Sequence, residues 1–363
     1  MEKELKWGTI IPLIGGSAIG CKKSAGNEPA FHLSYDAFAA NESHIEKYWP
    51  DVPMYRLDHE DLEIPKQTFN EVDYVNSVCP CAGLSQLNSA RGTSASRGSG
   101  ATQNQWMYNS SEYILENVKP KVLWGENAPG LFTKMGEGVV DRLREIGEKY
   151  GYSFSLIKTN TELHGIPQRR MRTFYFFWNT PTVPMLSWKF REKKLLIDYL
   201  NEIPKDATHQ DMFMVEGKVT DHFTPYEYVL EKEGLTHAEF AAKFKKGTIA
   251  QYLEKNELID DCIKWLEKHY PKRGFSNKKS TKTFIDMLEH QQYKTSQGLG
   301  YWDASPHFFH DSFSALIGRN MFNGVHPVEN RYLNVREMLH LMGLPLDFGI
   351  ESSRQVNHIA QNV

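Results

Sequence analysis

The tripeptide Cys79-Pro80-Cys81 closes a short apolar run, residues 74–78, whose alternation reads as a β-strand. A thiol at the carboxyl end of a strand, in a turn fixed by proline, is well placed to act as a nucleophile. Two plainer readings compete: a buried thiol, or half of a metal or redox site. A zinc site needs about four ligands, and the other cysteines, Cys21 and Cys262, stand alone in the chain. Metal is therefore not expected, and the nucleophile and the buried thiol both stay open. Other segments carry groups suited to handling charge: Gly125-Glu126-Asn127, then Pro167-Gln168-Arg169-Arg170-Met171-Arg172, and later Arg331 with Arg336-Glu337, Gly343-Leu344-Pro345 and Asp347-Phe348. By themselves, Glu126 reads equally as a helix cap and the arginines as surface ion pairs.

Taken together, in order and spacing, these segments resemble the DNA cytosine-5 methyltransferase family. They match its Pro-Cys, Glu-Asn, Gln-x-Arg-x-Arg and Arg-x-Leu-x-x-Arg-Glu blocks. The likeness covers both ends of the catalytic domain and leaves residues 181–305 outside it. It implies a chemistry in which these residue types belong together. Carbon 5 of cytosine is a weak nucleophile until a thiolate, here Cys81, adds to carbon 6. Glu126, kept protonated in a closed pocket, would then hydrogen-bond ring N3. Arg172, with Arg170, would reach O2 or a flanking phosphate. The target base must leave the stacked duplex, at a cost of a few kcal/mol. The resemblance also implies S-adenosylmethionine as donor, double-stranded DNA as partner, and no metal.

At the donor end the chain departs from the family. The family's Phe-x-Gly-x-Gly-Gly turn appears as Ile11-Pro12-Leu13-Ile14-Gly15-Gly16, so a leucine stands at a glycine position. Ser34 replaces the acidic residue that ends the second strand and binds the ribose, with Asp36 two positions on. Tyr35 keeps an aromatic ring suited to adenine, and Asp58 or Asp61 could hold the adenine amino group. Ala82 stands where a glutamine is usual. The last block appears as Ile359-Ala360-Gln361-Asn362-Val363, where the family continues into a helix, so a trimmed or short C-terminus is expected. Donor contacts are expected from Ile11, Ile14, Gly15, Gly16, Ser34, Tyr35, Asp58, Pro80, Gln361 and Val363. Two readings of these changes stand: drift, with Asp36 or water replacing the lost carboxylate, or a modified donor carrying extra negative charge.

The elements that must position these groups follow from periodicity. Residues 9–14, 31–35, 74–78, 122–124, 153–158 and 173–178 read as strands, and 37–48, 112–117 and 138–150 as helices. This rhythm predicts an α/β fold: a doubly wound mixed sheet of the class I S-adenosylmethionine-dependent methyltransferase type, with ligands beyond the strands' carboxyl ends. The expected organisation is a catalytic and cofactor-binding domain over 1–180, a smaller target-recognition domain over 181–305, and a return to the catalytic domain over 306–363. Residues 223–270 look helical. The Ser/Gly-rich stretch 86–102 is expected to be a mobile loop closing over the base. DNA contacts are expected from Ser85, Arg91, Arg97, Gln168, Lys278 and Lys279, with base contacts from residues 296–302.

Composition sets the outer limits. The chain has 363 residues, is 40% hydrophobic and 24% charged, and carries a net charge of −3, so DNA must be met by local basic surface. No apolar run approaches the roughly 20 residues that span a bilayer, and the charged start is not a signal peptide. With four cysteines, a reducing cytoplasm is expected, in a bacterial cell or a phage-infected host, and the enzyme is expected to be a monomer. Competing functions are a non-catalytic DNA-binding homologue, an RNA cytosine-5 methyltransferase, and alkylation of free nucleotides. Retention of Cys81, Glu126 and Arg172 speaks against the first. The 125-residue insert speaks for DNA over the other two.

Overall fold

The computed structural model describes residues 4–58, 69, 71–85, 98–186, 190–270, 283–299, 305–317, 322–351 and 355–360. The chain divides into two compact units: residues 1–164, 170–191 and 361–363 form one, and 165–169 with 192–360 form the other.

The first unit is built on a seven-stranded sheet ordered β3-β2-β1-β4-β5-β8-β6. Its strands are β1 (Trp7–Ile10), β2 (His32–Ser34), β3 (Met54–Arg56), β4 (Tyr74–Val78), β5 (Val122–Asn127), β6 (Ser153–Asn160) and β8 (Met171–Trp178), while β7 (Gln168–Arg169) belongs to the second unit. β8 runs antiparallel to both β5 and β6, and every other pairing in the sheet is parallel. The interior position of β1 explains why its four residues are all buried, as in strands covered on both faces. β6 lies at the edge and is correspondingly half-polar, with Ser153, Ser155, Lys158 and Thr159 along it.

The helices of this unit are α1 (Gly16–Ala25), α2 (Ser43–Tyr48), α3 (Gln105–Tyr113) and α4 (Glu137–Lys149). α4 shows how sequence sets packing: Val139, Val140, Leu143, Ile146 and Gly147 fall on one face and are buried. Gly147 lets that face approach the sheet, since an added Cβ would sit 3.1 Å from the Phe177 ring. Strand order reverses at β1, whose neighbours are β2 and β4. The turn after β1 and the Cys-Pro-Cys turn after β4 therefore flank the topological switch point, where ligands of such sheets bind.

The second unit is mainly helical: α5 (Leu196–Leu200), α6 (Val219–His222), α7 (Thr224–Glu233), α8 (His237–Phe244), α9 (Ile249–Lys255), α10 (Ile259–His269), α11 (Phe284–Ser296), α12 (Val335–Leu341) and α13 (Val356–Ile359). Tyr226, Phe240, Leu253, Cys262, Leu266, Leu288 and Phe308 are among its buried core. Thr236 with Glu239, Thr248 with Gln251 and Thr283 with Asp286 form capping boxes that start α8, α9 and α11. A short antiparallel pair, β9 (Lys246–Thr248) and β10 (His307–Phe309), interrupts the expected helical run, and β11 (Phe313–Ser314) pairs with β7 in parallel. No helix among the described residues is long and apolar enough to cross a membrane.

Candidate active site

Beyond Val78 the chain turns through Cys79 and Pro80 to Cys81, whose φ of −100° and ψ of 2° fall in the sparsely populated bridge region. The Cys81 carbonyl accepts from Leu84 N at 3.1 Å, starting a single tight turn. Gly83 is required there, since a Cβ would lie 2.5 Å from that of Ala101. Cys81 itself is partly exposed at this turn, whereas Cys79 is buried.

The sheet register carries the other groups to the same end. Val78 pairs with Glu126, and Asn127 at the end of β5 pairs with Thr173 on β8. Glu126 is 2% exposed, and its Oε1 lies 2.6 Å from Arg172 Nε. Neither atom makes an aligned hydrogen bond, so this is a close charge contact rather than a directed one. Asn127 Nδ2 and Thr173 Oγ1, both buried, also have no hydrogen-bond partner among the described residues.

Cys81, Glu126, Arg170 and Arg172 act on one another electrostatically. Burial pushes the Cys81 thiol up, the Glu126 carboxylate pushes it further, and Arg172 and Arg170 pull it down. Burial likewise raises Glu126, opposed by Arg172 and then Arg170. Burial, and then Arg172, push Arg170 down to about 9, against Glu126 and Cys81; it remains cationic near neutrality. Burial thus shifts both the carboxyl and the thiol toward their protonated forms, and the two arginines oppose it.

At the donor end, the turn after β1 is held by Ile11 N donating to Leu33 O at 2.9 Å and Gly15 N to Pro12 O at 3.0 Å. Ile11 and Leu13 both take left-handed backbone angles, φ 53° and 51°, a conformation that favours glycine. Gly15, at φ 96°, precedes α1 and offers no side-chain cap. Ile11 and Ile14 are buried. Ser34 does not leave the end of β2 without a carboxylate: its Oγ donates to Glu42, which is itself paired with Arg56. Glu42 is fully buried, and burial raises its carboxyl against the pull of Ser34 and Arg56. Tyr35 meets the Trp106 ring edge-on at 4.9 Å, and the nearby Asp58 charge adds to the burial that raises its phenol. The glycine turn at the start of α1 and the aromatic wall fit a nucleoside donor. Pro80 is half-buried in the adjoining turn.

Of the residues expected at DNA, Ser85 is half-buried just after the Cys81 turn. Gln168, in the second unit, is 1% exposed; its Nε2 donates to Leu341 O at 2.6 Å and its Oε1 accepts from Leu316 N at 3.1 Å. Arg91, Arg97, Lys278, Lys279, Gln361 and Val363 lie outside the described residues, as does Asp61. Sequence reasoning missed Glu42, Asn127 and Thr173. Of these only Asn127 carried a signal, as the neighbour of Glu126.

The profile of the family described as C-5 cytosine-specific DNA methylase matches residues 13–362. The chain belongs to this family. It is 23% identical over 330 residues to the type II methyltransferase M.Bpa9945I of Bacillus paralicheniformis, covering 84% of this chain and 69% of that protein. It is 26% identical over 166 residues to the type II methyltransferase M.NgoPII of Neisseria gonorrhoeae, covering 44% of each. The fold is similar to that of a DNA modification methyltransferase encoded within an E. coli prophage, with a TM-score of 0.54 at 16% identity over 99% of this chain and 96% of that one. It is also similar to the Entamoeba histolytica methyltransferase EhMeth, with a TM-score of 0.51 at 14% identity over 100% and 94%. As a cytosine-specific DNA methylase, this chain is a methyltransferase, and the family implies S-adenosylmethionine as donor and DNA as substrate.

Proposed function

We propose that this DNA methylase transfers a one-carbon group to carbon 5 of a flipped-out cytosine in duplex DNA, with Cys81 as nucleophile. The observation that carries the reading is geometric: the Cys81 turn follows β4, Val78 of β4 pairs with Glu126 on β5, and Glu126 lies 2.6 Å from Arg172 on β8. Arg172 and Arg170 stabilise the Cys81 thiolate as it forms and adds to carbon 6. Glu126, held protonated by burial, donates to ring N3 and stabilises the charge that gathers there. Asn127 Nδ2 and Thr173 Oγ1, buried without partners, supply further polar atoms along the base edge. Bound S-adenosylmethionine supplies the electrophilic carbon. After transfer, loss of the carbon 5 proton lets Cys81 leave.

Ile11, Ile14, Gly15, Gly16, Tyr35, Asp58 and Pro80 would hold the donor, with Gln361 and Val363 at the end of the chain. Glu42 beside Ser34 is engaged by Ser34 and Arg56, so the choice between ordinary S-adenosylmethionine and a more anionic analogue rests on comparing the two as donors. Residues 181–305 would read the target sequence, with Ser85, Arg91, Arg97, Lys278 and Lys279 on phosphates. The enzyme would act as a monomer in the cytoplasm, alone or beside a restriction enzyme.

The test is trapping on duplex DNA containing 5-fluorocytosine, with S-adenosylmethionine, comparing wild type with Cys81→Ser. Fluorine cannot leave as a proton does, so a covalent complex that depends on Cys81 is expected, and its mass identifies the transferred group. Binding without an adduct across random sequences would sink the reading. An adduct formed on transfer RNA and not on DNA would replace DNA by RNA.

A further inference from the structure

Beneath the Cys81 turn lies a buried polar cluster that the reaction itself does not use. Cys79 Sγ sits 3.2 Å from Ser77 Oγ, 3.3 Å from Ser110 Oγ and 4.0 Å from the Tyr175 hydroxyl. All four residues are 2% exposed or less. Tyr175 enters from β8, where it pairs with Gly125 on β5. An ideal Cβ on Gly125 would meet the Tyr175 Cζ and hydroxyl at 2.2 Å, so the phenol lies directly over the Gly125 backbone. The ring therefore rests on the residue before Glu126, while its hydroxyl reaches the residue two before Cys81.

We propose that Tyr175 is a positioning residue that sets the distance between Cys81 and Glu126, its hydroxyl anchoring Cys79 while its ring fixes the Gly125 backbone. The proposal rests on the catalytic assignment above. Pro80 transmits the anchoring, since its fixed φ leaves the turn between Cys79 and Cys81 little freedom. Three strands meet at one side chain: β4 through Cys79, β5 through Gly125, and β8 through Tyr175 itself. Arg172 stands three positions earlier on the same strand. Attack on carbon 6 and hydrogen bonding to N3 involve two atoms of one rigid ring, so thiol and carboxyl must keep a fixed separation. Small errors in such placement are expensive in rate.

The experiment compares wild type, Tyr175→Phe, Cys79→Ala, Cys79→Ser and the double variant Tyr175→Phe/Cys79→Ala. It reads steady-state methylation and the single-turnover rate of adduct formation on 5-fluorocytosine DNA. Tyr175→Phe keeps the ring and so the packing; its kcat and trapping rate are expected to fall about ten-fold or more, with KM for DNA and donor unchanged. Cys79→Ala is expected to fall similarly, Cys79→Ser to keep most of the rate, and the double variant to fall no further than either single. Wild-type rates in Tyr175→Phe would overturn the proposal. So would a loss confined to KM, losses that multiply in the double variant, or a serine no better than alanine at position 79. Should Tyr175→Phe fail to fold, the Cys79→Ala and Cys79→Ser pair decides alone. A wild type that forms no adduct refutes the catalytic assignment itself, a result distinct from normal trapping by the variants.

Discussion

Glu126 and Arg172 approach to 2.6 Å from neighbouring antiparallel strands, yet Glu126 is 2% exposed and the Arg172 side chain 16%. The asymmetry decides what each deletion does. Glu126→Gln leaves the cation near solvent, whereas Arg172→Ala leaves a carboxyl buried without its main opposing charge. Both are expected to lower kcat by about 100-fold or more, as losses of charge stabilisation in closed sites do. Their stability effects should differ with pH. Burial already raises Glu126, and removing Arg172 raises it further. A group raised in the folded state favours folding below its unfolded value and loses that advantage as pH rises through the folded one. The melting penalty of Arg172→Ala should therefore be small where wild-type Glu126 is still protonated and grow only as pH rises through the value at which it ionises, reaching about 3–5 kcal/mol at most. A penalty independent of pH would show that Glu126 is not the group left behind.

Gly125→Ala is expected to be severely destabilising. Its Cβ would meet the Tyr175 phenol at 2.2 Å, and Tyr175 is fully buried with no room to yield. Overpacking of this kind costs about 1–3 kcal/mol or more. Gly125→Ala combined with Tyr175→Phe should recover part of the loss, since the hydroxyl is one of the three Tyr175 atoms in collision. Denaturant melts of the three variants check this, and full additivity would place the strain elsewhere.

The candidate catalytic groups stand out in the sequence because chemistry would fix their types and the sheet fixes their places. A cysteine after one strand, a glutamate at the end of its neighbour and Arg172 at the start of the strand beyond, with Arg170 just before it, define a single rim once the strand order is known. Shorter elements were not legible: β3 and β9 have three residues each, too few for alternation to register, and both exist because a neighbouring strand pairs with them. The carboxylate beside Ser34 was hidden for another reason. Glu42 lies eight positions on, past the end of its strand, and only the chain reversal before α2 brings it back. Tyr175 escaped because a tyrosine among Phe174, Phe176 and Phe177 reads as core, and its hydroxyl leaves no trace in a hydropathy pattern. Gln168, read as a DNA contact from its motif, bonds Leu341 and Leu316 inside the second unit.

That engagement makes a prediction. Gln168 joins Leu341 O and Leu316 N through both ends of its amide. Gln168→Ala would leave two buried backbone groups unmatched, at about 1–3 kcal/mol each. A large fall in stability with little change in the salt dependence of DNA binding is expected. Unchanged stability with weaker DNA binding would return Gln168 to the DNA interface.

His32 should make the enzyme acid-sensitive. It is fully exposed to the core and not to water, accepting or donating at Nδ1 to Thr9 Oγ1 at 2.6 Å, with the Trp49 ring 5.3 Å away. Burial lowers its pKa from 6.5 to about 4. A histidine neutral when folded contributes stability above the unfolded value, and this is lost as pH falls from 6.5 toward 4. The shift corresponds to roughly 3 kcal/mol. His32→Gln should flatten the decline of unfolding free energy over that window, although the variant starts lower at neutral pH. An unaltered slope would assign the acid sensitivity to other groups.

The turn after β1 stores strain that can be released. Leu13 sits at φ 51°, in the left-handed region where a side chain costs about 1 kcal/mol and glycine costs nothing sterically. Leu13→Gly relieves that cost but frees the unfolded chain, so stability should change by less than about 1 kcal/mol in either direction. Leu13→Val adds a branch at Cβ and should destabilise clearly more, because branched residues tolerate this conformation worst. The two variants then separate two roles of the turn. If its backbone shape is what the donor meets, Leu13→Gly binds S-adenosylmethionine at least as well as wild type and Leu13→Val binds it weakly, as read by calorimetry. If the leucine side chain itself covers the donor, Leu13→Gly weakens binding while its melting temperature stays put, and the glycine-like angle is then only the means of presenting that side chain.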